Sequence, residues 1–269
     1  MTVGGTGRSP ETRRVPGAVI VKLTSDVALV GSGSFGFDLS SPADAHLYLI
    51  DGGDELALVD AGCGGAIGDT DLILRNIAND GYDTSRISKL LLTHYHFDHM
   101  GGAAEVHEAR GVPVHASPLT ARVLEAGDEE AISLPAVKAI GFVPEDYHLR
   151  SCPATGDMVD GATFRIGRLT ATVIETPGHA DGHVSFLVEG GDRVYLIQGD
   201  LVFFGGTILL QNVPDCSIEL YGESVRKLAG IEFEAFLPGH GPISLRNGKR
   251  HVDAAAGQFA KLMVPRNWG

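Results

Sequence analysis

Thr-His-Tyr-His-Phe-Asp-His-Met-Gly-Gly, residues 93–102, is the stretch of this sequence that decides the fold. Positions 94–99 hold three imidazoles and one carboxylate, the side chains that bind zinc and similar divalent ions. The apolar run 87–93 predicts a buried strand, and residues 101–110 predict a helix. The candidate ligands therefore lie where a strand ends and a helix begins, which is where ligand sites form in α/β proteins.

The spacing within this segment allows it to serve two metal ions. Side chains alternate along an extended chain, so His94 and His96 point to the same side. Asp98 and His99 follow after the chain has begun to turn, and they can face a second point. A surface loop rich in histidine is the alternative, but such a tract is not flanked by a buried strand and glycines.

Three more strand-like runs end in polar residues of the same chemistry. The residues that follow these runs are His179 and His183, then Asp200, then His240. Each stands in a loop punctuated by Gly or Pro. Four strand ends that carry potential ligands predict one shared site at one edge of the molecule.

With this combination of motifs the sequence resembles the metallo-β-lactamase superfamily, in order from about residue 19 to residue 240. The family signature His-x-His-x-Asp-His is present at 94–99. The resemblance implies an α/β fold with four layers, an αββα sandwich in which two mixed sheets pack face to face with helices outside. We expect one such domain over residues 18–269, after a flexible lead-in over residues 1–17.

The resemblance also implies a complete set of metal ligands. One ion would be held by His94, His96 and His179, and the other by Asp98, His99 and His240. Asp200 would bridge both ions. We expect two divalent ions, zinc first, although histidine and aspartate also accept iron, manganese and cobalt.

Two further residues are expected to support the ligands from behind. Asp60 matches the family's buried acidic residue, whose carboxylate would orient a ligand histidine or the active-site loop. A turn-capping aspartate at a strand end is the alternative. His183 is expected to form hydrogen bonds rather than to ligate. His46 is interpreted as a core or edge histidine, with a place near the pocket as the alternative.

The chemistry that the resemblance implies follows from the metal ions. Two divalent ions about 3.5–4 Å apart can share a hydroxide derived from an acidified water. The expected protein is a dinuclear metal-dependent hydrolase whose bridging hydroxide attacks the carbonyl of a lactone, ester or thioester. Asp98 and Asp200 are the candidate catalytic residues, and Asp98 would steer the proton toward the leaving group. The expected partner is a small-molecule substrate such as an acyl lactone or a thioester.

Lactonase-like chemistry is the favoured expectation for the substrate. Acyl-homoserine lactonases are similar in length, in Asp200 and in the segment 176–183. They commonly have a tyrosine three residues after the bridging aspartate, where this sequence has Phe203. Tyr95 or Tyr221 would then have to supply the hydroxyl group. The candidate pocket residues are Tyr95, Phe97 and Phe203, with core packing as the alternative for the phenylalanines.

Other functions stay open. A glyoxalase II-like thioesterase would use the same centre, although such enzymes usually have a helical glutathione-binding domain and only 29 residues follow His240. A β-lactamase would also use it. An iron-dependent oxidoreductase of the persulfide dioxygenase type holds one iron on two histidines and one carboxylate, whereas all seven dinuclear ligands are present here. A non-catalytic protein on this fold would be expected to have lost ligands.

The composition is that of a globular protein and disfavours some partners. Hydrophobic residues make up 43% of the 269 residues, and the net charge of −13 argues against a nucleic-acid partner. No apolar run approaches the roughly 20 residues of a membrane span. Three cysteines without paired spacing, and N-terminal residues without a hydrophobic core, predict reduced thiols in a cytoplasmic protein.

Periodicity predicts the positions of most helices and strands. The predicted strands are 19–30, 47–50, 56–59, 112–115, 158–159, 163–166, 170–175, 184–188 and 194–197; the predicted helices are 69–79, 119–126, 218–229 and 253–262. Residues 127–150 are broken by Pro135 and Pro144 and are predicted to form an inserted lid or loop beside the site. This segment or the helix at 218–229 would form the contact in a homodimer, which is left open.

Overall fold

The computed structural model describes residues 20–268, so the lead-in predicted over residues 1–17 lies outside the described residues. The first half of the chain contains β1 (Val21–Lys22), β2 (Val27–Gly31), β3 (Leu47–Asp51), β4 (Leu56–Val59), α1 (Thr70–Asn79), β5 (Ile87–Leu91), α2 (Phe97–Met100), α3 (Ala103–Arg110), β6 (Val114–His115), α4 (Pro118–Ala126) and α5 (Leu134–Ala139). The second half contains β7 (Thr163–Ile166), β8 (Leu169–Glu175), β9 (Val184–Glu189), β10 (Tyr195–Ile197), α6 (Ile218–Ala229), β11 (Ala235–Leu237) and α7 (Lys249–Ala260).

The strands form two mixed sheets. The first has the order β1-β2-β3-β4-β5-β6, antiparallel as far as β4 and parallel from β4 to β6. The second has the order β11-β10-β9-β8-β7, in which only the β10–β11 pair is parallel. The predicted α/β architecture with two mixed sheets is therefore confirmed.

Three apolar layers separate the four layers of secondary structure. In β3, Tyr48 and Ile50 belong to the core between the sheets, whereas Leu47 and Leu49 belong to the core beneath the helices of the first half. This division follows from the alternation of side chains along a strand, and it explains why β3 is apolar at successive positions. A third core lies between the second sheet and the helices α6 and α7.

Some predicted boundaries were wrong for local reasons. The predicted strand 19–30 is two strands, because the Thr24 hydroxyl accepts hydrogen bonds from the N–H groups of Asp26 and Val27 and makes a turn. Residues 158–159 are not in a named strand. The last helix begins at Lys249 rather than at 253. Its first residues are charged, and their polarity hid the fact that His251 is part of the buried face of the helix.

The segment 127–150 packs onto the core of the first half. It contains α5, and Leu134, Val143 and Tyr147 are buried there. The Tyr147 hydroxyl donates a hydrogen bond to the Cys63 carbonyl at 2.7 Å. Phe142 lies at the surface with its ring centroid 6.3 Å from that of Phe97. A lid function of this segment stays a prediction. Within residues 20–268, no helix combines the length and apolar character that crossing a bilayer requires.

A buried carboxylate connects the two sheets at the end opposite the candidate ligands. Asp26, which precedes β2, accepts hydrogen bonds from the Tyr195 hydroxyl at 2.9 Å and the Asp192 N–H at 3.0 Å. Its carboxylate also pairs with Arg168. Burial alone would raise the pKa of Asp26, but these donors outweigh burial and hold that pKa below its ordinary value.

We expect Asp26→Asn to destabilise the fold by about 2 kcal/mol at neutral pH, because it leaves buried donors and Arg168 without their charged acceptor. Since the folded-state pKa is lowered, the stabilisation is present above the unfolded pKa of about 4 and is lost as the pH falls through the folded pKa. Urea denaturation at several pH values should therefore show the difference between variant and wild type shrinking toward low pH. The matched control is the exposed Asp146→Asn; a difference for Asp26→Asn that does not change with pH would contradict an ionised Asp26.

Candidate metal centre

The first four candidate ligands lie on a sharp change of direction after β5. Residues 92–96 continue the strand direction without regular structure, and Phe97–Met100 then form one helical turn that His96 precedes as N-cap. His94 and His96 are therefore on the extended part, and Asp98 and His99 are on the helical part. This is the turn that the sequence predicted between the two pairs.

The loops after β8, β10 and β11 bring the remaining candidates to the same edge. They supply His179, Asp200 and His240 respectively. Glycine is required beside them: a Cβ on Gly239 would lie 2.0 Å from Asp200 Oδ1, and a Cβ on Gly199, whose φ is +50°, would lie 2.7 Å from His183 Nε2. These loops can pack so closely only because the two positions have no side chain.

All seven candidate metal ligands come together in the structure. Their ligand atoms form three groups in which every pair of atoms lies within 4.8 Å: His94, His96 and His179; His94, His99 and Asp200; Asp98, His99 and His240. The nitrogens His96 Nδ1 and His179 Nε2 face each other at 3.0 Å. His240 Nε2 lies 3.1 Å from Asp98 Oδ2 and 3.3 Å from Asp200 Oδ2.

Four of these histidines have a second ring nitrogen that is held by a neighbouring group. The pairs are His94 Nδ1 with Thr93 Oγ1 at 3.0 Å, His96 Nε2 with Asp215 Oδ2 at 3.4 Å, His99 Nδ1 with Asp60 Oδ2 at 2.8 Å, and His179 Nδ1 with the Leu209 carbonyl at 3.4 Å. A proton on each outer nitrogen leaves the inner nitrogen with a lone pair, which is the state that a metal ion requires.

Several inward atoms lack a hydrogen bond of normal geometry, although His99 Nε2 and Asp200 Oδ1 face each other at 3.4 Å. Within residues 20–268, His94 Nε2, His99 Nε2 and Asp200 Oδ1 are buried polar atoms without a hydrogen-bond partner. Buried polar atoms are rarely left unpaired, because each costs about 1–3 kcal/mol. A divalent cation accepts lone pairs from imidazole nitrogen and carboxylate oxygen alike. The donor set therefore fits metal ions at this position.

The electrostatics divide the centre into two sides. Burial alone would lower the pKa of His240, but the neighbouring carboxylates, Asp200 first, outweigh burial and raise that pKa to about 9. The same balance raises the pKa of His99 well above its ordinary value. Burial and the adjacent His96 lower the pKa of His179 to about 4, and burial also lowers the pKa of His94. The side that contains His99 and His240 therefore stabilises positive charge, whereas His94 and His179 stay neutral and keep the lone pairs that bind a metal ion.

Asp60 connects both sides of the centre. It adopts a φ of +63° and accepts hydrogen bonds from the Thr93 N–H at 2.8 Å and from the Thr93 hydroxyl at 2.9 Å. Its other contact is with His99 Nδ1. The Thr93 hydroxyl oxygen is also hydrogen-bonded to His94 Nδ1. The Asp60 carboxylate therefore orients one histidine of each ligand group, His99 directly and His94 through Thr93. These contacts favour the predicted orienting role of Asp60 over that of a turn cap, and the role itself stays a prediction.

His183 lies behind the ligands, where it holds the backbone of Asp200. Its Nε2 accepts a hydrogen bond from the Asp200 N–H at 3.2 Å, and its Nδ1 lies 3.0 Å from the Thr176 hydroxyl. Burial lowers the pKa of His183 well below its ordinary value, so the ring stays neutral and can accept this bond.

Hydrogen bonds from Tyr48 in the first sheet and from the nearby His46 hold the loop that carries His240 in place. The Tyr48 hydroxyl donates to the Pro238 carbonyl at 2.6 Å, and the His46 N–H donates to the Gly239 carbonyl at 2.7 Å. His46 Nε2 lies 2.8 Å from the Gly241 carbonyl, and its ring centroid is 6.4 Å from that of His240. His46 is therefore a buried histidine that lies next to the centre and supports its last ligand.

A cleft of about 290 Å³ opens over the centre. Its lining combines the candidate ligands His96, Asp98, His179, Asp200 and His240 with the apolar side chains of Phe35, Phe97, Leu209 and Trp268 and the polar side chain of Gln211. Of the predicted pocket residues only Phe97 belongs to this lining.

The other two predicted pocket residues are placed differently. Tyr95 is buried, and its hydroxyl donates to Asp215 Oδ2 at 2.8 Å. Phe203 is fully buried beneath Trp268, with ring centroids 4.6 Å apart. Tyr221 is also engaged, since its hydroxyl donates to the Asp200 carbonyl at 2.9 Å.

Sequence reasoning missed Trp268, Phe35 and Asp215 as parts of this site. None of them lies in a metal motif, and each reaches the centre through a long loop or a chain end. The one available indication was that Trp268 is the only tryptophan in the chain.

Histidine and aspartate side chains converge at one edge of an αββα sandwich. This combination is typical of metallo-hydrolases. The chain belongs to the metallo-beta-lactamase superfamily, whose family model matches residues 42–240. A metallo-beta-lactamase of Cronobacter sakazakii has a similar structure, with a TM-score of 0.68 at 20% identity over 91% of this chain and 97% of that one.

Three curated relatives illustrate the range of similar proteins. The probable metallo-hydrolase YflN of Bacillus subtilis is 27% identical over 253 residues, 82% of this chain and 86% of its own. An atrochrysone carboxyl ACP thioesterase of Aspergillus fumigatus is 28% identical over 198 residues, 74% of this chain and 51% of its own. A hydroxyacylglutathione hydrolase of Cereibacter sphaeroides is 33% identical over 183 residues, 68% of this chain and 55% of its own. The chain thus spans about half the length of the last two.

We expect Asp60→Asn to lower zinc affinity about 10- to 100-fold while the protein still folds. The amide would donate to His99 Nδ1, which moves the proton to Nε2 and removes the inward lone pair. Asparagine tolerates the positive φ of this position, so backbone strain does not confuse the result. Isothermal titration of the metal-free protein with zinc measures the affinity, with the exposed Asp54→Asn as control. Unchanged affinity would mean that Asp60 does not set the protonation of His99.

Proposed function

We propose that the chain is a dinuclear metal-dependent hydrolase that cleaves the acyl bond of an ester, lactone or thioester. The observation that carries the proposal is the position of Asp200. Its carboxylate oxygens lie 3.4 Å from His99 Nε2, 3.7 Å from His179 Nε2 and 3.3 Å from His240 Nε2. Because these histidines belong to both ligand groups, one carboxylate can bridge two ions.

In this proposal each ion has three further ligands. His94, His96 and His179 would hold the first ion, and Asp98, His99 and His240 would hold the second. Zinc is the expected metal, since imidazole and carboxylate suit it. Two such ions supply an acidified water and positive charge for the developing oxyanion. The chain's own contribution is to hold the ligands in place and to admit the substrate above them.

Asp98 is the proposed carrier of the proton for the leaving group. Its side chain is 17% exposed, whereas that of Asp200 is 4% exposed, so Asp98 is the carboxylate that the cleft presents to a substrate. Burial alone would raise the pKa of Asp98, but His99 and His240 outweigh burial and lower it. An ionised Asp98 can accept a proton from water and pass it to the departing oxygen or sulfur.

The relatives and the sequence favour different acyl bonds. One relative reported above is named a thioesterase and another a hydroxyacylglutathione hydrolase, which favours an acyl group carried on a thiol compound. The favoured sequence expectation was a lactone, for which a tyrosine hydroxyl was sought. Tyr95 and Tyr221 both donate their hydroxyls to protein acceptors, so we assign no phenol to the substrate carbonyl. Ester, lactone and thioester therefore stay together in the proposal.

We expect zinc-reconstituted protein to hydrolyse at least one member of a matched panel: an acyl lactone, a glutathione thioester, an aryl ester and a β-lactam. A chelator should abolish the rate and added zinc should restore it. Asp200→Ala should lose the activity together with bound zinc. Asp98→Asn should keep the ion of His94, His96 and His179 but hold the second ion more weakly, and kcat should fall about 100-fold or more, because proton transfer is also impaired.

The control for this experiment is the exposed Asp146→Asn, which should behave as wild type. Hydrolysis that survives both the chelator and Asp200→Ala would contradict the proposal. Negligible rates on the whole panel, together with bound iron and oxygen uptake, would favour the oxidoreductase alternative instead.

A further inference from the structure

An aromatic wall stands beside the metal centre. The ring of Trp268 stacks on Phe203 at 4.6 Å with an interplanar angle of 11°, and it lies 5.9 Å from the ring of His240 at 24°. Phe35 meets Trp268 edge to face, with centroids 5.8 Å apart. Phe35 and Trp268 both line the cleft over the centre, and Phe203 is the buried platform behind them.

Backbone pairing fixes Trp268 in this place. The Trp268 N–H donates to the Ile208 carbonyl at 2.7 Å, and the Ile208 N–H donates to the Arg266 carbonyl at 3.0 Å. The Leu210 N–H donates to Asn267 Oδ1 at 2.8 Å. The end of the chain is therefore hydrogen-bonded to the segment that follows Asp200, and the tryptophan ring is held against the ligands rather than projecting into solvent.

The wall continues away from the centre past Phe35. A second cavity of about 370 Å³ also has Phe35 in its lining, together with Phe37 and Pro242. Phe35 and Phe37 are 52% and 47% exposed, so both offer apolar ring surface to a molecule that lies in this cavity. An acyl chain whose carbonyl lies at the metal centre can run along Trp268 and Phe35 into this second cavity.

The charge of both cavities restricts what can lie there. Among the residues that line them in the described part of the chain, there is no lysine or arginine. The ionised side chains of the lining include Asp98 and Asp200, and the whole chain has a net charge of −13. Apart from the candidate metal ligands, no lining residue in that part of the chain is ionisable, so a carboxylate at the far end of the acyl group would find no cationic side chain within reach, and burying it there would be costly.

We propose that Phe35 and Trp268 form an acyl-binding subsite, and that the substrate is an ester, thioester or lactone with an uncharged, linear apolar acyl chain. This inference rests on the hydrolase function proposed above. The two aromatic residues are specificity residues: they select the acyl group and take no part in bond cleavage.

The test compares p-nitrophenyl esters of increasing length, from acetate through butyrate and hexanoate to octanoate, with zinc-loaded full-length protein. We expect kcat/KM to rise about threefold for each added methylene group that reaches the wall. An ester of similar length that ends in a carboxylate should react about tenfold or more slowly. Trp268→Ala and Phe35→Ala should lower the ratio of kcat/KM for octanoate to kcat/KM for acetate, so that the length dependence is flattened. Phe204→Ala removes an exposed phenylalanine that packs on His251 instead, and it is the matched control.

A second measurement does not depend on turnover. Trp268 is the only tryptophan, so its fluorescence reports on the subsite directly. Octanamide is an uncharged acyl compound that resists hydrolysis, and it should cause a saturable blue shift that Phe35→Ala weakens. Ester hydrolysis with no length dependence would overturn the subsite and leave the hydrolase intact. Saturable octanamide binding, together with no hydrolysis of the ester series or of the lactone and thioester of the earlier panel, would support the subsite and overturn the hydrolase.

Discussion

The carboxylate of Asp60 is the interaction on which the centre depends. It is almost fully buried, and it binds His99 directly and His94 through the Thr93 hydroxyl. One charge thereby sets the protonation state of a histidine in each ligand group. Without this anchor the two rings could rotate or protonate on the wrong nitrogen, and the inward lone pairs would be lost.

The same centre depends on the contact between the two halves of the sandwich. Its ligands come from the end of β5 in the first sheet and from loops after β8, β10 and β11 in the second. Tyr48 and His46 of the first half hold the loop of His240 in the second half. The apolar layer between the sheets, together with the buried Asp26 at the opposite end, holds the two sheets in a fixed position relative to each other. Stability of the fold and geometry of the site therefore have a common origin.

Local sequence was a good guide to elements whose patterns are short in range. Apolar runs predicted β3, β4 and β9, an alternating run predicted β8, and helical spacing of apolar residues placed α1 within one residue of its observed start. Prediction was poor where local polarity hid burial, as at the start of α7. It also misplaced Phe203, which was expected in the pocket but is a buried platform, because sequence distance from Asp200 does not reveal which face a loop residue presents.

The sequence by itself determined the chemistry of the centre and its position at strand ends, because ligand type, glycine spacing and strand periodicity are encoded over a few residues. Tertiary structure alone decided which distant groups complete it. Trp268 and Asp215 reach the ligands from loops far away in the chain, and their contacts exist only once two sheets and several loops have packed together. Such contacts depend on many weak packing interactions throughout the fold, which no local sequence pattern encodes.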